Sequence, residues 1–153
     1  MPRAEATSES LETLGSSPLD GLTILGLRAR SVLELLGKVE RGFSYTAFER
    51  LQRAIALPAQ DLAEFVQIPP RTLQRRKEAG RLRADESDRL LRVSRLLEHA
   101  IDLFEGDTAA ARNWLGSPKK ALAGHTPLDF ARTEAGAREV ESLIGRLEHG
   151  VHT

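Results

Sequence analysis

The stretch Leu57–Leu82, LPAQDLAEFVQIPPRTLQRRKEAGRL, decides how the chain folds. It predicts a short helix over Ala59–Val66, a tight connection at Gln67-Ile68-Pro69, and a second helix from Pro70 to about Glu78. Proline suits the first position of a helix, because the N–H that it lacks has no helical partner there. Two short helices at this spacing are typical of a helix-turn-helix, in which the second helix lies in the major groove of DNA.

The second helix carries side chains of the kinds that contact base edges. Leu73 is expected to face inward, and Arg and Gln are the residue types that bind guanine and adenine through paired hydrogen bonds. The residues predicted to face outward toward DNA are Arg71, Thr72, Gln74, Arg75 and Lys77. Arg76, Arg81 and Arg83 are interpreted as phosphate contacts, which position a protein on DNA without specifying sequence. The alternative is a helical hairpin with a solvated basic face.

The distribution of charge favours the DNA hypothesis. The chain has 22 Lys and Arg against 22 Asp and Glu, yet residues 71–83 hold six basic residues and one acidic residue, a balance of +5. Residues 98–153 hold six basic and nine acidic residues, a balance of −3. Such asymmetry between segments suggests separate partners, with a polyanion for the basic middle.

The rest of the sequence predicts further helices and no strand, so the predicted fold class is all-α. An apolar stripe at three- and four-residue steps from Leu22 to Leu36 predicts the first helix. A second stripe, Leu90 to Phe104, predicts a long helix opened by Asp85-Glu86-Ser87-Asp88, and it suits either a core or a subunit interface. The other predicted helices cover Ser44–Ala56, Thr108–Leu115, a turn at Pro118–Leu122, a start at Thr126-Pro127, and about Ala135–His149.

These elements suggest three regions. Residues 1–18 are small and polar and are expected to form a disordered arm. Residues 19–97 are expected to form the helical DNA-binding and dimerisation region, and residues 98–153 a small second domain.

Composition argues against several protein classes. The chain of 153 residues has no Cys, which excludes disulfides, thiolate zinc sites and a cysteine nucleophile. No apolar run approaches the roughly 20 residues of a membrane-spanning helix, and the first residues lack a signal core, so we expect a cytoplasmic protein without a membrane partner. No nucleophile motif, glycine-rich phosphate loop or metal-ligand spacing is present, so we expect no enzyme activity, cofactor or metal.

The C-terminal half has a series of landmarks in a fixed order. They are Trp114-Leu115, Pro118, Leu122-Ala123-Gly124, Thr126-Pro127-Leu128, Glu134-Ala135-Gly136, Val140, Leu143-Ile144 and Leu147-Glu148-His149-Gly150-Val151. This series resembles the toxin-binding domain of Xre/MbcA/ParS-type antitoxins. Upstream, Arg71-Thr72-Leu73-x-x-Arg76 and Asp85-Glu86-Ser87-x-Arg89-Leu90 also resemble that family, so the similarity spans roughly residues 45–153.

The resemblance implies an antitoxin of a type II toxin–antitoxin system. Its partner would be a RES-domain toxin, which degrades NAD or transfers ADP-ribose, and its second partner would be operator DNA bound by a homodimer. The resemblance further implies that the C-terminal region blocks the toxin's active site. Gly150 suits a left-handed turn at the end of the last helix, so we predict that the short tail after it inserts its carboxylate among arginines of the toxin. The alternative is a frayed tail without a function. The expected toxin-binding residues are Glu141, Ile144, Leu147, Glu148, His149, Gly150, Val151, His152 and Thr153.

Two alternatives belong to other classes of protein. A stand-alone helix-turn-helix regulator would use the acidic C-terminal half only to dimerise or to bind a small ligand. An enzyme would need a constellation of catalytic residues, which the sequence does not supply. A neighbouring RES-type gene would favour the antitoxin over the regulator.

Overall fold

The computed structural model describes residues 16–150, and every regular element in that range is a helix. Val151, His152, Thr153 and most of the expected N-terminal arm lie outside the described residues. The α-helices are α1 (Val32–Arg41), α2 (Tyr45–Ile55), α3 (Ala59–Phe65), α4 (Pro70–Ala79), α5 (Ala84–Leu103), α6 (Thr108–Leu115), α7 (Pro127–Phe130) and α8 (Glu134–Glu148), with a 3-10 turn at Lys120–Leu122. The predicted all-α class is confirmed.

Helix α5 is the central element, because α1, α2, α6 and α8 all pack against it. Its stripe of Leu90, Val93, Leu97 and Ala100 is buried in the core. This decides one alternative left by the sequence, since these residues pack within the chain instead of forming a subunit interface. The predicted domain boundary at residue 97 falls inside α5, so both halves of the chain share one helix.

The prediction of a first helix that starts near Leu22 is wrong for the residues before Val32. Residues 18–26 form turns, and helix α1 begins only at Val32, after Ser31 accepts a hydrogen bond from Glu34 N–H at 3.2 Å. The reason is Gly21, which has φ +89° and passes so close to the α5 backbone that a Cβ would overlap Arg95 N. Leu22 and Leu25 therefore lie in a turn segment that packs on α5, and both side chains are buried.

Helix α1 exposes much of its apolar surface. Leu33 is 79% exposed and Leu36 is 52% exposed, and Val32 beside them is 46% exposed. The sequence predicts these residues on a buried stripe, but only Leu35 of α1 is buried. The residues follow a helical period, and the face that they form is open to solvent.

Backbone hydrogen bonds join the α1–α2 connection to the α4–α5 connection. Tyr45 N–H donates to the carbonyl of Gly80 at 2.9 Å, and Leu82 N–H donates to the carbonyl of Phe43 at 2.8 Å. Phe43 N–H in turn donates to the hydroxyl of Ser87 at 2.8 Å. These bonds fix the end of α4 against the end of α1.

The remaining helix ends follow the sequence closely. Helix α6 has the predicted bounds, and Thr126 caps α7 by accepting from Asp129 N–H at 3.1 Å. The start of α5 differs in detail, because Glu86 accepts a hydrogen bond from Arg83 N–H at 2.8 Å and so caps the helix from its third position. Within residues 16–150, no helix is long and apolar enough to span a membrane.

Candidate nucleic-acid interface and partner-binding helix

Helices α3 and α4 and the residues between them have the helix-turn-helix arrangement. Leu73 is buried and packs α4 onto the core, as the sequence predicts. The part of α4 away from the core carries the exposed side chains of Arg71, Gln74 and Arg75, and Lys77 is exposed one turn after Leu73. Thr72 is half-buried and accepts a hydrogen bond from Arg75 Nη2 at 3.2 Å. Exposed donors of these types are what contact with base edges requires.

The three expected phosphate contacts have different environments. The side chain of Arg76 is only 14% exposed, and its Nε lies 2.7 Å from Oε1 of Glu86, which is 6% exposed. This ion pair joins α4 to the start of α5, so the structure gives Arg76 a structural role. Arg81 is exposed and donates from Nη1 to the carbonyls of Gly42 at 2.6 Å and Arg41 at 3.3 Å. Arg83 is exposed at the start of α5.

The turn between α3 and α4 is stabilised by Arg89 of α5, which the sequence places in the family motif without indicating this contact. Arg89 Nε donates to the carbonyl of Val66 at 2.6 Å, and its Nη2 lies 3.4 Å from the carbonyl of Gln67. These carbonyls close α3, where Gln67 adopts a left-handed conformation with φ +57°. The pairing joins residues 23 apart, so no local pattern indicates it.

The C-terminal half also contacts this turn. Gln67 Nε2 donates to the carbonyl of Arg132 at 3.0 Å, and Arg92 Nη1 donates to the same carbonyl at 3.2 Å. The guanidinium of Arg132 pairs with Glu64 at 3.1 Å and lies 5.4 Å from the centre of the Phe65 ring. Arg132 lies between α7 and α8, so one short connection contacts both the helix-turn-helix and the last helix.

Helix α8 is anchored at its N-terminus and exposed at its C-terminus. Thr133 Oγ1 accepts from Gly136 N–H at 3.0 Å, and Gly136 packs so closely on the α7 end that a Cβ would overlap the carbonyl of Phe130. Val140 and Ile144 are buried, so Ile144 anchors the helix and does not reach the surface. Of the expected toxin-binding residues, Leu147 is 38% exposed, and Glu148, His149 and Gly150 are exposed.

The carboxylate of Glu141, also expected to bind a partner, forms an internal contact. Its Oε2 lies 2.5 Å from Nδ1 of the buried His99, whose Nε2 lies 2.8 Å from Oδ2 of Asp20. The buried histidine therefore joins the N-terminal segment, α5 and α8. Sequence reasoning missed His99, because its partners lie 79 and 42 residues away.

The position of His99 between two carboxylates favours its charged form. Burial alone lowers the pKa of His99, but the hydrogen bonds and charges of Glu141 and Asp20 outweigh it and raise that pKa to about 9. Ligand atoms of Asp20, Glu98 and His99 lie within 4.8 Å of one another. An imidazolium donates from both nitrogens and leaves no lone pair for a metal ion, so this arrangement suits a structural contact.

Comparison with protein families matches the two halves of the chain in order. The family model described as the antitoxin Xre-like helix-turn-helix domain matches residues 34–95, which include α3, the turn and α4. The family model described as the antitoxin Xre/MbcA/ParS C-terminal toxin-binding domain matches residues 99–150, from His99 to the end of α8. The two matches meet inside α5.

Curated proteins named Antitoxin Xre are similar over most of the chain. One from Yersinia enterocolitica is 38% identical over 128 residues, which cover 83% of this chain and 86% of the relative. One from Photorhabdus laumondii is 34% identical over 128 residues with the same coverage. One from Pseudomonas putida is 32% identical over 122 residues, covering 78% of this chain and 74% of the relative.

Proposed function

The chain belongs to the family of Xre antitoxins of toxin–antitoxin systems, and on that premise we propose that it neutralises a RES-domain toxin and represses its own operon. The order of the two matched domains carries the proposal: a helix-turn-helix with an exposed cationic face precedes a toxin-binding domain. The RES class of the toxin rests on the resemblance described above. The toxin would be an NAD-consuming or ADP-ribosylating enzyme, and both encounters would occur in the cytoplasm.

We propose that the C-terminal end of α8 is the surface that binds the toxin. Leu147 is apolar and exposed, and Glu148, His149 and Gly150 follow it at the surface. Gly150 has φ +68°, a left-handed conformation that ends the helix. In this proposal Leu147 packs at the mouth of the toxin's active-site cleft, and the residues after Gly150 enter it.

Growth rescue on co-expression with the neighbouring RES-domain toxin tests this assignment. Leu147→Asp, and separately deletion of residues 150–153, should abolish or strongly reduce rescue while circular dichroism and DNA binding stay unchanged. Ala135→Asp is the matched control, because it adds the same carboxylate at an exposed position at the other end of α8. Full rescue by both α8 variants at normal abundance would contradict the assignment.

For DNA binding, we propose that α4 contacts base edges in the major groove. Arg75 is exposed, and the only hydrogen bond that its side chain forms within residues 16–150 is to Thr72 of the same helix. Arg75→Ala should weaken operator binding by about 1–3 kcal/mol and relax the preference at one base pair, if the guanidinium makes a paired contact. A gel-shift titration on the DNA upstream of the reading frame measures this, and unchanged affinity would show that α4 is wrongly assigned.

A homodimer follows from the same proposal, since paired recognition helices match an inverted repeat with half-sites one helical turn apart. The surface that supports a dimer is the exposed apolar face of α1, formed by Val32, Leu33 and Leu36. Gly37 lies beside this face. Among the described residues outside the backbone of α1, only the Arg41 guanidinium comes within 4 Å of a Cβ placed at Gly37. Packing within the chain therefore leaves room for a second helix at this position. Leu33→Asp should convert the dimer to a monomer in sedimentation velocity, whereas Leu147→Asp should not.

A further inference from the structure

A second basic cluster lies outside the exposed face of α4, at the junction of α1 with the end of α4. Two neighbouring clefts, of about 250 and 580 Å³, meet at Lys38, which lines both of them. The cations that line the clefts are Arg28, Arg30, Lys38, Arg41 and Arg81, and together they are named the α1 basic cleft. Four of the five side chains are exposed, and Lys38 is partly buried.

The α1 basic cleft carries an excess of positive charge. Of the residues that the structure describes, Glu34 is the one acidic residue that lines it, and its carboxylate accepts a hydrogen bond from Arg30 N–H at 3.1 Å. Among residues 16–150, none of the five cations forms a salt bridge. A concave surface of one sign of charge concentrates the electric field and attracts a polyanion.

The position of the cleft relative to α4 is fixed by backbone contacts. Arg81 follows α4 by two residues, and its Nη1 donates to the carbonyl of Gly42 at the end of α1. The bonds of Tyr45 N–H to Gly80 and of Leu82 N–H to Phe43 hold the same junction. The cleft therefore keeps a constant distance from the residues of α4 that face outward.

The length of α4 matches the dimensions of the major groove. Helix α4 has ten residues, which span about 15 Å at 1.5 Å per residue. The major groove is about 12 Å wide, so a helix whose first turn contacts bases extends to the phosphates at the edge of the groove. The α1 basic cleft begins at that point, where guanidinium and ammonium groups would meet phosphate oxygens.

We propose that the α1 basic cleft binds the phosphate backbone of DNA that flanks the base pairs contacted by α4. This inference rests on the proposed function, because it takes α4 as the recognition helix. The cleft contacts no bases, so it adds affinity and length of footprint without adding sequence preference. The face of α1 that bears Lys38 and Arg41 is distinct from its exposed apolar face, so one helix serves both contacts.

The experiment compares the full chain with the double variant Lys38→Gln/Arg41→Gln on DNA upstream of the reading frame. Each phosphate contact contributes about 0.9 to the slope of the logarithm of the binding constant against the logarithm of salt concentration. The slope should therefore fall by about 1.8 for each bound protomer, or by about 3.6 for the proposed dimer. Affinity at low salt should fall about 10- to 100-fold, equally for the preferred sequence and for a single-mismatch duplex. Hydroxyl-radical footprinting should show loss of protection at the outer phosphates only.

A matched control removes the same charge elsewhere. Lys120→Gln/Arg138→Gln changes two exposed cations of the C-terminal half and should keep the wild-type slope and footprint. Wild-type slope and footprint in the cleft variant would overturn the inference, as would an equal effect in the control. If Arg75→Ala weakens binding while the cleft variant does not, only the cleft assignment is lost. If neither variant changes binding, the recognition helix itself is wrongly assigned.

Discussion

Arg75 and Arg76 are adjacent residues of the same type, and α4 gives them opposite environments. Arg75 points to solvent, whereas Arg76 pairs with Glu86 of α5 in a site that solvent hardly reaches. The sequence predicts the basic character of this helix, but it does not show which arginine is engaged, because that depends on the packing of α4 against the next helix. The same is true of Arg81, whose carbonyl partners lie about 40 residues upstream in sequence.

The first prediction concerns this pair of arginines. Arg76→Ala should lower the free energy of unfolding by about 1–3 kcal/mol, because it leaves the buried carboxylate of Glu86 without its cationic partner. Arg75→Ala should stay within about 0.5 kcal/mol of the wild type, as exposed substitutions do. Urea unfolding measures both values, and an equal loss in the two variants would contradict the structural role of Arg76.

The second prediction concerns His99 and pH. The pKa of His99 is about 9 in the folded protein, above the ordinary 6.5, so its charged form stabilises the fold. This stabilisation is complete below about pH 6.5 and is lost as the pH rises through about 9. We expect a loss of about 1–3 kcal/mol between these limits.

The variant His99→Gln separates this effect from other titrations. The wild type should be more stable than the variant at pH 6.5, and the difference should shrink as the pH approaches 10. Glu141→Gln is a second check, because it removes one of the two carboxylates that favour the imidazolium. A constant difference between wild type and His99→Gln across this range would contradict the charged state of His99.

At the scale of elements, local signals predicted most helix ends and failed where long-range contact decided the conformation. Helix α6 begins after Asp107, which accepts a hydrogen bond from Ala110 N–H, and α7 begins at Thr126 and Pro127. These effects lie within one turn. The segment from Leu22 has a helical period but forms turns, because Gly21 packs on the backbone of α5. The role of the C-terminal helix followed from the family resemblance, since its residue types alone indicate no partner.

The third prediction uses two glycines of α8. Gly136→Ala should destabilise the protein by about 1–3 kcal/mol, because the added Cβ overlaps the carbonyl of Phe130 and forces α7 and α8 apart. Gly145→Ala should stabilise it by about 0.5–1 kcal/mol, because alanine favours the helix. Within residues 16–150, and apart from the backbone of α8 and the adjoining residues, no atom lies within 4 Å of the new Cβ. Thermal unfolding gives the sign of each change. Effects of the same sign would contradict the packing described for α8.

At the scale of the whole molecule, α5 makes the two matched domains parts of one structure. It packs on α1 and α2 in the first half and on α6 and α8 in the second. Arg132 adds a second connection, through Gln67 and Glu64, between the last helix and the helix-turn-helix. The sequence predicted the long helix that crosses residue 97, but it did not show that elements from both halves pack on that helix, because those contacts join residues far apart in the chain.

The fourth prediction is that the chain unfolds in one transition. The single tryptophan, Trp114, lies on α6 in the C-terminal half, so its fluorescence follows that half. Circular dichroism at 222 nm follows all helices, and the two curves in urea should coincide. Arg132→Ala should shift both midpoints together. Two separate transitions would show that the halves unfold independently.

The shared helix α5 also bears on the lifetime of the protein in a cell. A protease needs an unfolded segment, and a fold that opens only as a whole offers no stable fragment that keeps one activity. Cleavage anywhere in α5 would therefore remove inhibition of the toxin and occupancy of the operator in the same event. If the chain represses its own operon as proposed, loss of the protein would release the toxin and restart synthesis of the antitoxin at the same moment, with no separate signal for each.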